Sequence, residues 1–237
     1  MAEPDHDGAL KEQRRKDLRR EIERLEAEFH RLTSALAFCE EFLSRSYEVD
    51  KGTAPPGAIG LHQLFLMAAD NMHMCVARLF DNQDKSVGLR QVFRKYSDVF
   101  AYGLDDPVQD AWEACLTSIE GSELLENLWI YRHEWLAHNL LKAGDRTNVE
   151  RILTIGLRKG DGGTYTVTWA DLLDLSRSTL DLLARLLRLA CGSQIVRRTL
   201  YGAEGSHVHA SAIDVDHYVK NAREQFAAVL EPWFPKG

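Results

Sequence analysis

Apolar residues recur at every seventh position in the N-terminal part of the chain. Two interleaved series share this spacing: Leu18, Leu25, Leu32 and Cys39, and Ile22, Phe29, Leu36 and Leu43. Together they give the alternating four-three spacing of a coiled-coil seam over about four heptads. The pattern predicts a long first helix over residues 10–47. Its apolar stripe either packs on its own domain or forms a seam between subunits.

Helical periodicity returns after residues 50–60, where prolines and glycines cannot continue a helix. Helices are predicted over residues 61–81, 84–100, 103–119, 122–141, 168–192 and 214–231. Ser86 and Asp106 are the expected N-caps of the third and fourth helices, with Pro107 in the first turn of the fourth. Gly121 and Ser122 are expected to kink or restart the helix there. Asp214 is the expected N-cap of the last helix.

The segments RILTIGL and TYTVTW are rich in β-branched residues and flank the sequence RKGDGG. This pattern predicts a short hairpin or extended insert within residues 151–168. The predicted fold class is therefore all-α, a helical bundle with a long N-terminal helix and a short extended or hairpin insert. We expect residues 1–237 to form a single helical domain.

Composition and charge narrow the class of protein. The chain is 45% hydrophobic and 27% charged, with a formal net charge of -7, so it is not a basic nucleic-acid coat protein. The basic tract KEQRRKDLRR contains interleaved acids, which indicate a solvated face, with an RNA contact as the alternative. No signal-peptide core and no run of about 18 apolar residues is present, so we expect a cytoplasmic protein without membrane contact.

The four cysteines are far apart in the sequence and make no C-x-x-C pair. Each lies in an apolar helical setting. Cys39, Cys75, Cys115 and Cys191 are therefore expected to be reduced thiols of the core.

Polar residues cluster in YRHEWLAHN, residues 131–139, inside a predicted buried helix. On a helix, Arg132 and Asn139 fall on the apolar stripe that is expected to face the core. Glu134 and His138 are i,i+4 neighbours, so the carboxylate would orient the imidazole or raise its pKa. Arg132 and His138 lie about 120° apart around the axis and converge only loosely. A symmetric partner subunit would bring a second copy of both groups to the same place; a purely structural polar network is the alternative.

The spacing Arg132-x5-His138, with the polar His133 after the arginine, resembles the R-x(4–6)-H motif of HEPN domains. These are helical-bundle proteins of prokaryotic defence, toxin–antitoxin and CRISPR-associated systems. YRHEWLAHN is similar in particular to the AbiU-type (abortive infection) branch. VARLFDNQDKSVGLRQVF upstream and TWADLLDLSRSTLDLLARL downstream are similar to it as well. The resemblance covers about residues 61–189, within a HEPN-like core of residues 60–190.

HEPN proteins of this kind are commonly metal-independent endoribonucleases that act as dimers, with two motifs forming one composite site. The resemblance implies that His138 is the general acid or base and that Arg132 stabilises the phosphate. His133, where the family commonly has Asn or Asp, would support the arginine, and Asn139 would orient the site, with Glu134 beside the histidine. Asp81 matches an upstream acidic position that has no assigned role.

The implied chemistry suits these side chains. RNA carries its own nucleophile, the 2′-hydroxyl, so an enzyme has to assist proton transfer and stabilise charge on the phosphate. A histidine suits the first task and an arginine fork the second. We expect 2′,3′-cyclic phosphate products and no cofactor or metal. RNA, a second copy of the chain and a neutralising antitoxin or regulatory protein are the expected partners.

Other functions stay open at the level of sequence. A HEPN-like bundle without catalysis would serve as a nucleotide-binding or protein-interaction module, and a coiled-coil scaffold would act through the first helix. Two histidine groups suggest metal ligands: His207, His209, Asp214, Asp216 and His217, and His62, Asp70 and His73. We interpret the first as a loop with a helix cap and the second as helix core with a solvated edge.

Overall fold

The computed structural model describes residues 6–45, 58–81, 88–100, 106–131, 154–158, 164–191 and 214–233. These residues form seven α-helices, a 3₁₀ turn over Ser97–Val99 and two strands. The helices are α1 His6–Ser44, α2 Ala58–Leu79, α3 Leu89–Tyr96, α4 Asp106–Glu120, α5 Glu123–Tyr131, α6 Trp169–Cys191 and α7 Val215–Leu230. The strands are β1 Thr154–Arg158 and β2 Thr164–Thr168. The fold of the described part is an α-helical bundle.

Helix α1 lies at the centre of the bundle, where it contacts α2, α3, α6 and α7. Seven of the eight heptad positions are buried in the core: Leu18, Ile22, Leu25, Phe29, Leu32, Leu36 and Cys39. Leu43, near the end of the helix, is exposed. The apolar stripe therefore packs within its own chain, and the alternative of a subunit seam along this stripe is wrong. Burying each of these leucines stabilises the fold by about 1.5–3 kcal/mol.

Aromatic side chains join the helices to one another. The ring of Phe65 on α2 stacks on Phe42 of α1 at 4.7 Å between centroids and meets Trp169 of α6 edge-on at 4.9 Å. Trp112 on α4 stacks on Phe93 of α3 at 4.4 Å. The indole Nε1 of Trp112 donates a hydrogen bond to the carbonyl of Leu182, 3.1 Å away, which fixes α4 against α6.

A ladder of ion pairs fastens α7 to α1 and α6. Its members alternate in charge, in the order Glu231, Arg45, Glu41, Arg223, Glu40, Arg177 and Asp216, with contacts of 2.7–3.4 Å. Glu41 and Arg45 form its buried centre, each with a side chain 2% exposed. Arg45 also donates to the carbonyl of Ala227 at 2.9 Å. We refer to these seven residues as the ion-pair ladder.

The two strands pair antiparallel in a two-stranded sheet, from Thr154 opposite Thr168 to Arg158 opposite Thr164. They lie in the segment for which the sequence predicts an extended insert. Strand β2 leads directly into α6 and also contacts α5. The pair thus stands beside the helix that leads into the polar motif.

Two helix starts are set by local side-chain caps. The hydroxyl of Ser122 accepts a hydrogen bond from the amide of Leu125 at 3.2 Å, so the chain restarts there as α5. The carboxylate of Asp214 accepts one from the amide of His217 at 3.1 Å and caps α7. The predicted restart of the helix at Gly121 and Ser122 and the predicted N-cap Asp214 are both confirmed, because each depends only on residues a few positions apart.

The start of α3 differs from the prediction. The N-cap is Gly88, without a side-chain cap bond, and not Ser86, which lies outside the described residues. The chain closes on itself at this point, because a Cβ on residue 88 would lie 2.2 Å from the carbonyl oxygen of Asp81. The absence of a side chain at Gly88, and not a capping hydroxyl, permits this close approach.

The cysteines follow the prediction only in part. Cys39 and Cys75 are buried free thiols, and burial raises the pKa of each to about 12, so both remain protonated. Cys115 is exposed on α4, so its placement in the core is wrong. An amphipathic helix carries apolar residues on its solvent side as well, and sequence pattern alone did not separate the two sides at this position. The side chain of Cys191 lies outside the described residues.

Candidate functional site

Helix α5 forms the described beginning of the predicted motif helix. Leu125 and Leu128 are buried, as the apolar stripe predicts, and Trp129 is half-buried against the core. The described part of α5 ends at Tyr131. All five predicted site residues, Arg132, His133, Glu134, His138 and Asn139, lie outside the described residues. The structure therefore gives the helix that leads to the motif and the surroundings of that helix.

A cleft of about 450 Å³ opens where α2, α4 and α5 meet. Its described lining consists of Phe80, Glu120, Gly121, Ser122, Leu125, Glu126 and Trp129. Its volume falls within the range of small-molecule sites. Four of the lining residues belong to α5 or its cap, so the cleft adjoins the first turns of α5.

The charged groups of this cleft are acidic. Glu120 is engaged by Arg90 on α3, whose Nε lies 3.0 Å from both carboxylate oxygens. The hydrogen bond to Glu120 raises the pKa of the Arg90 guanidinium further, so the guanidinium stays charged. Glu126 is exposed in the first turn of α5, where the helix dipole favours an acid. Because its described lining contains no cation, the cleft by itself is not suited to a phosphate.

Asn127 is a buried polar residue that the sequence analysis missed. It lies on α5, and its Oδ1 has no hydrogen-bond donor within reach in the described part of the structure. A buried acceptor without a partner costs about 1–3 kcal/mol. The sequence carries a signal for Asn127, since this residue stands between Leu125 and Leu128 of the core stripe. Asn127 lies more than one helical turn before the predicted polar motif.

Asp81, the acid singled out by the family resemblance, is buried at the end of α2. Its amide donates to the carbonyl of Arg78 at 3.2 Å, and its own carbonyl forms the close contact with Gly88. The position is therefore important for the closure between α2 and α3. No role in chemistry follows from these contacts.

The structure separates the histidines of α2. His73 is fully buried, and its Nδ1 donates to the carbonyl of Ala69 at 2.7 Å. Burial lowers the pKa of His73 to about 4, so its imidazole is neutral at physiological pH. His62 is exposed, with its ring near that of Phe65. A buried and an exposed imidazole do not form a shared metal site.

The C-terminal group has other roles in the described structure. Asp214 caps α7, and Asp216 pairs with Arg177 at 2.8 Å. His207 and His209 lie outside the described residues. Across the ranges that the structure describes, no three His, Cys, Asp or Glu side chains are placed to hold a metal ion.

Comparison with models of known protein families, with curated proteins and with solved structures gives no match. Within the described ranges, every helix is too short or too polar to cross a bilayer. The functional assignment consequently depends on the residues of the chain itself.

Proposed function

We propose that this protein is a metal-independent endoribonuclease of a bacterial defence or toxin–antitoxin system. It acts in the cytoplasm as a homodimer, with Arg132 and His138 from facing subunits in one composite site. It leaves 2′,3′-cyclic phosphate ends, and a neutralising or regulatory protein controls it. The observation that carries the proposal is the Arg132-x5-His138 spacing, which begins one residue after α5 in an α-helical bundle.

The division of labour follows from the chemistry of the two side chains. The imidazole of His138 takes the proton of the ribose 2′-hydroxyl or delivers one to the leaving 5′-oxygen. The guanidinium of Arg132 neutralises the charge that develops on the phosphate oxygens.

The test is RNA cleavage by the purified protein in the presence of EDTA. We expect oligonucleotides that end in 2′,3′-cyclic phosphates, and His138→Ala should slow cleavage by about 10²–10⁴-fold, the usual contribution of general acid–base catalysis. His62→Ala is the matched control, since His62 is an exposed histidine of α2. Cleavage that requires added metal, or that survives His138→Ala unchanged, contradicts the proposal.

A binding module without catalysis is the second candidate, and the cleft favours it. Phe80 and Trp129 provide apolar contact surface, while Glu120 and Glu126 make the cleft more suitable for a neutral or cationic ligand than for a nucleotide. This candidate predicts ligand or protein binding that is indifferent to His138→Ala. A scaffold acting through a coiled-coil seam of α1 has lost its basis, because that stripe is buried within the chain.

A further inference from the structure

The N-terminal end of α1 projects beyond the hydrophobic core. Residues 8–17 include no buried side chain, and the buried stripe starts only at Leu18. At 1.5 Å per residue, this exposed stretch of helix is about 15 Å long. This stretch is helical although none of its side chains is buried in the core. Packing of the core therefore does not dictate which residues it carries.

This projecting segment carries positive charge on a protein of net charge -7. Residues 10–20 contain six basic and two acidic residues. Lys11, Arg15, Lys16 and Arg19 are exposed, and none has a carboxylate within 4 Å in the described part of the chain. We refer to these four residues as the basic arm. Most other arginines of the described structure, including those of the ion-pair ladder, are paired with carboxylates.

Three residues of the basic arm share one helix face. Lys11, Arg15 and Arg19 follow one another at i, i+4 and i+8, which places their side chains along about 12 Å of the axis. Lys16 lies further around the helix, and Glu12 is an exposed acid near these cations. The charges thus form a row that a linear polyanion can follow.

The arm is held in a fixed position by its other face. Arg14 binds both carboxylate oxygens of Asp98 in the 3₁₀ turn, at 2.7 and 2.8 Å. Arg14 also donates to the carbonyl of Lys95. This contact brings the exposed Arg94 and Lys95 of α3 to the same end of α1. A fixed row of cations loses less entropy on binding than a flexible tail would lose.

We propose that the basic arm binds the phosphate backbone of RNA outside the cleavage site and so holds the substrate on the enzyme. The inference rests on the proposed function, which identifies the polyanion as RNA. Four cations without carboxylate partners and one exposed apolar residue, Leu10, suit a phosphate chain better than a protein interface, whose centre is depleted in charge.

The test measures binding without cleavage, with a fluorescent single-stranded 2′-O-methyl RNA that lacks the nucleophile. Fluorescence anisotropy is recorded for wild type and for Lys11→Gln/Arg15→Gln/Arg19→Gln between about 50 and 200 mM salt. We expect affinity to fall roughly tenfold or more, and the slope of log K against log salt to fall by about 2, because each single-strand phosphate contact contributes about 0.7. Glutamine preserves helix propensity, and thermal unfolding checks the fold.

The matched control is Arg185→Gln/Arg188→Gln/Lys220→Gln, which removes the same charge from exposed positions of α6 and α7. Equal effects of the two triple variants, or no RNA binding by wild type, overturn the inference. Binding of wild type to phosphatidylserine vesicles but not to RNA overturns it as well. If cleavage depends on His138 but the arm variant binds RNA as wild type does, the inference about the basic arm is wrong and the proposed function stands. If RNA binding depends on the basic arm but the protein does not cleave RNA, the proposed function is wrong and the inference about the basic arm is supported.

Discussion

At the scale of single residues, Gly88 permits the end of α2 and the start of α3 to approach each other closely. A Cβ at position 88 would lie only 2.2 Å from the carbonyl oxygen of Asp81, which is too close for any side chain. The obstruction is backbone, which cannot rotate away as the end of a side chain can. Even one added methyl group therefore forces the end of α2 and the start of α3 apart.

Gly88→Ala is accordingly expected to destabilise the protein by about 1–3 kcal/mol, the usual cost of overpacking. Gly60→Ala is the matched control, because Gly60 lies in helix α2 with nothing within 4 Å of its would-be Cβ. Alanine there should stabilise the helix by about 0.5–1 kcal/mol. Thermal unfolding measures both changes, and a Gly88→Ala protein as stable as wild type would show that the close contact is not required.

Gly88 also shows which helix starts can be predicted from the sequence and which cannot. The sequence predicts Asp214 as a helix cap because the amide that it binds lies three residues away. Ser86 was chosen by the same logic and was wrong, because the start of α3 is decided by the approach of Asp81, seven residues earlier in the chain. Capping preferences consider only neighbouring residues, so they do not predict a contact between Asp81 and Gly88.

At the scale of elements, the helices were predictable and the contacts that fasten them were not. Periodicity placed α1, α6 and α7 within a few residues of their observed ends, since an apolar stripe records which face will be buried. The ion-pair ladder joins Glu40 to Arg177 and Arg45 to Glu231, residues 137 and 186 positions apart. A single sequence shows the charges but not which of them meet. The motif residues 132–139 stay predictions because they lie outside the described residues.

Loss of one partner at the buried centre of the ladder should be costly. Arg45→Met leaves the carboxylate of Glu41 buried without its main partner and is expected to cost about 3–5 kcal/mol. Glu231→Gln, at the exposed end of the same ladder with a side chain 56% exposed, should cost less than about 1 kcal/mol. Urea unfolding of both variants gives the comparison.

A double variant separates pairing from packing at this site. Arg45→Met/Glu41→Leu removes both charges, so it should be more stable than Arg45→Met alone, because no carboxylate is then buried without its partner. The single variants Arg45→Met and Glu41→Leu are measured beside it. If the double variant loses as much stability as these two single variants lose together, the two charges act independently and the ladder does not function as a unit.

At the scale of the whole molecule, α1 cannot use its heptad stripe for dimerisation, because the core of its own chain covers that stripe. The proposed composite site therefore needs another dimer surface, one that brings two motif helices together. If residues 132–138 continue the helix as the sequence predicts, Arg132 and His138 would lie about 9 Å apart along the axis and about 120° apart around it. The proposed mechanism consequently pairs the arginine of one subunit with the histidine of the other.

Mixing inactive variants tests this pairing. Arg132→Ala and His138→Ala proteins should each cleave RNA about 10²–10⁴-fold more slowly than wild type. Co-expressed as a heterodimer, they retain one arginine and one histidine on opposite subunits, so cleavage should rise well above that of either parent. The matched control pairs each single variant with Arg132→Ala/His138→Ala, which supplies neither group and should restore nothing. Native mass spectrometry establishes that heterodimers are present. Heterodimers that stay as inactive as their parents would contradict the proposed pairing of one arginine with one histidine across the interface. Each site would then need an arginine and a histidine from the same chain, or two arginines and two histidines.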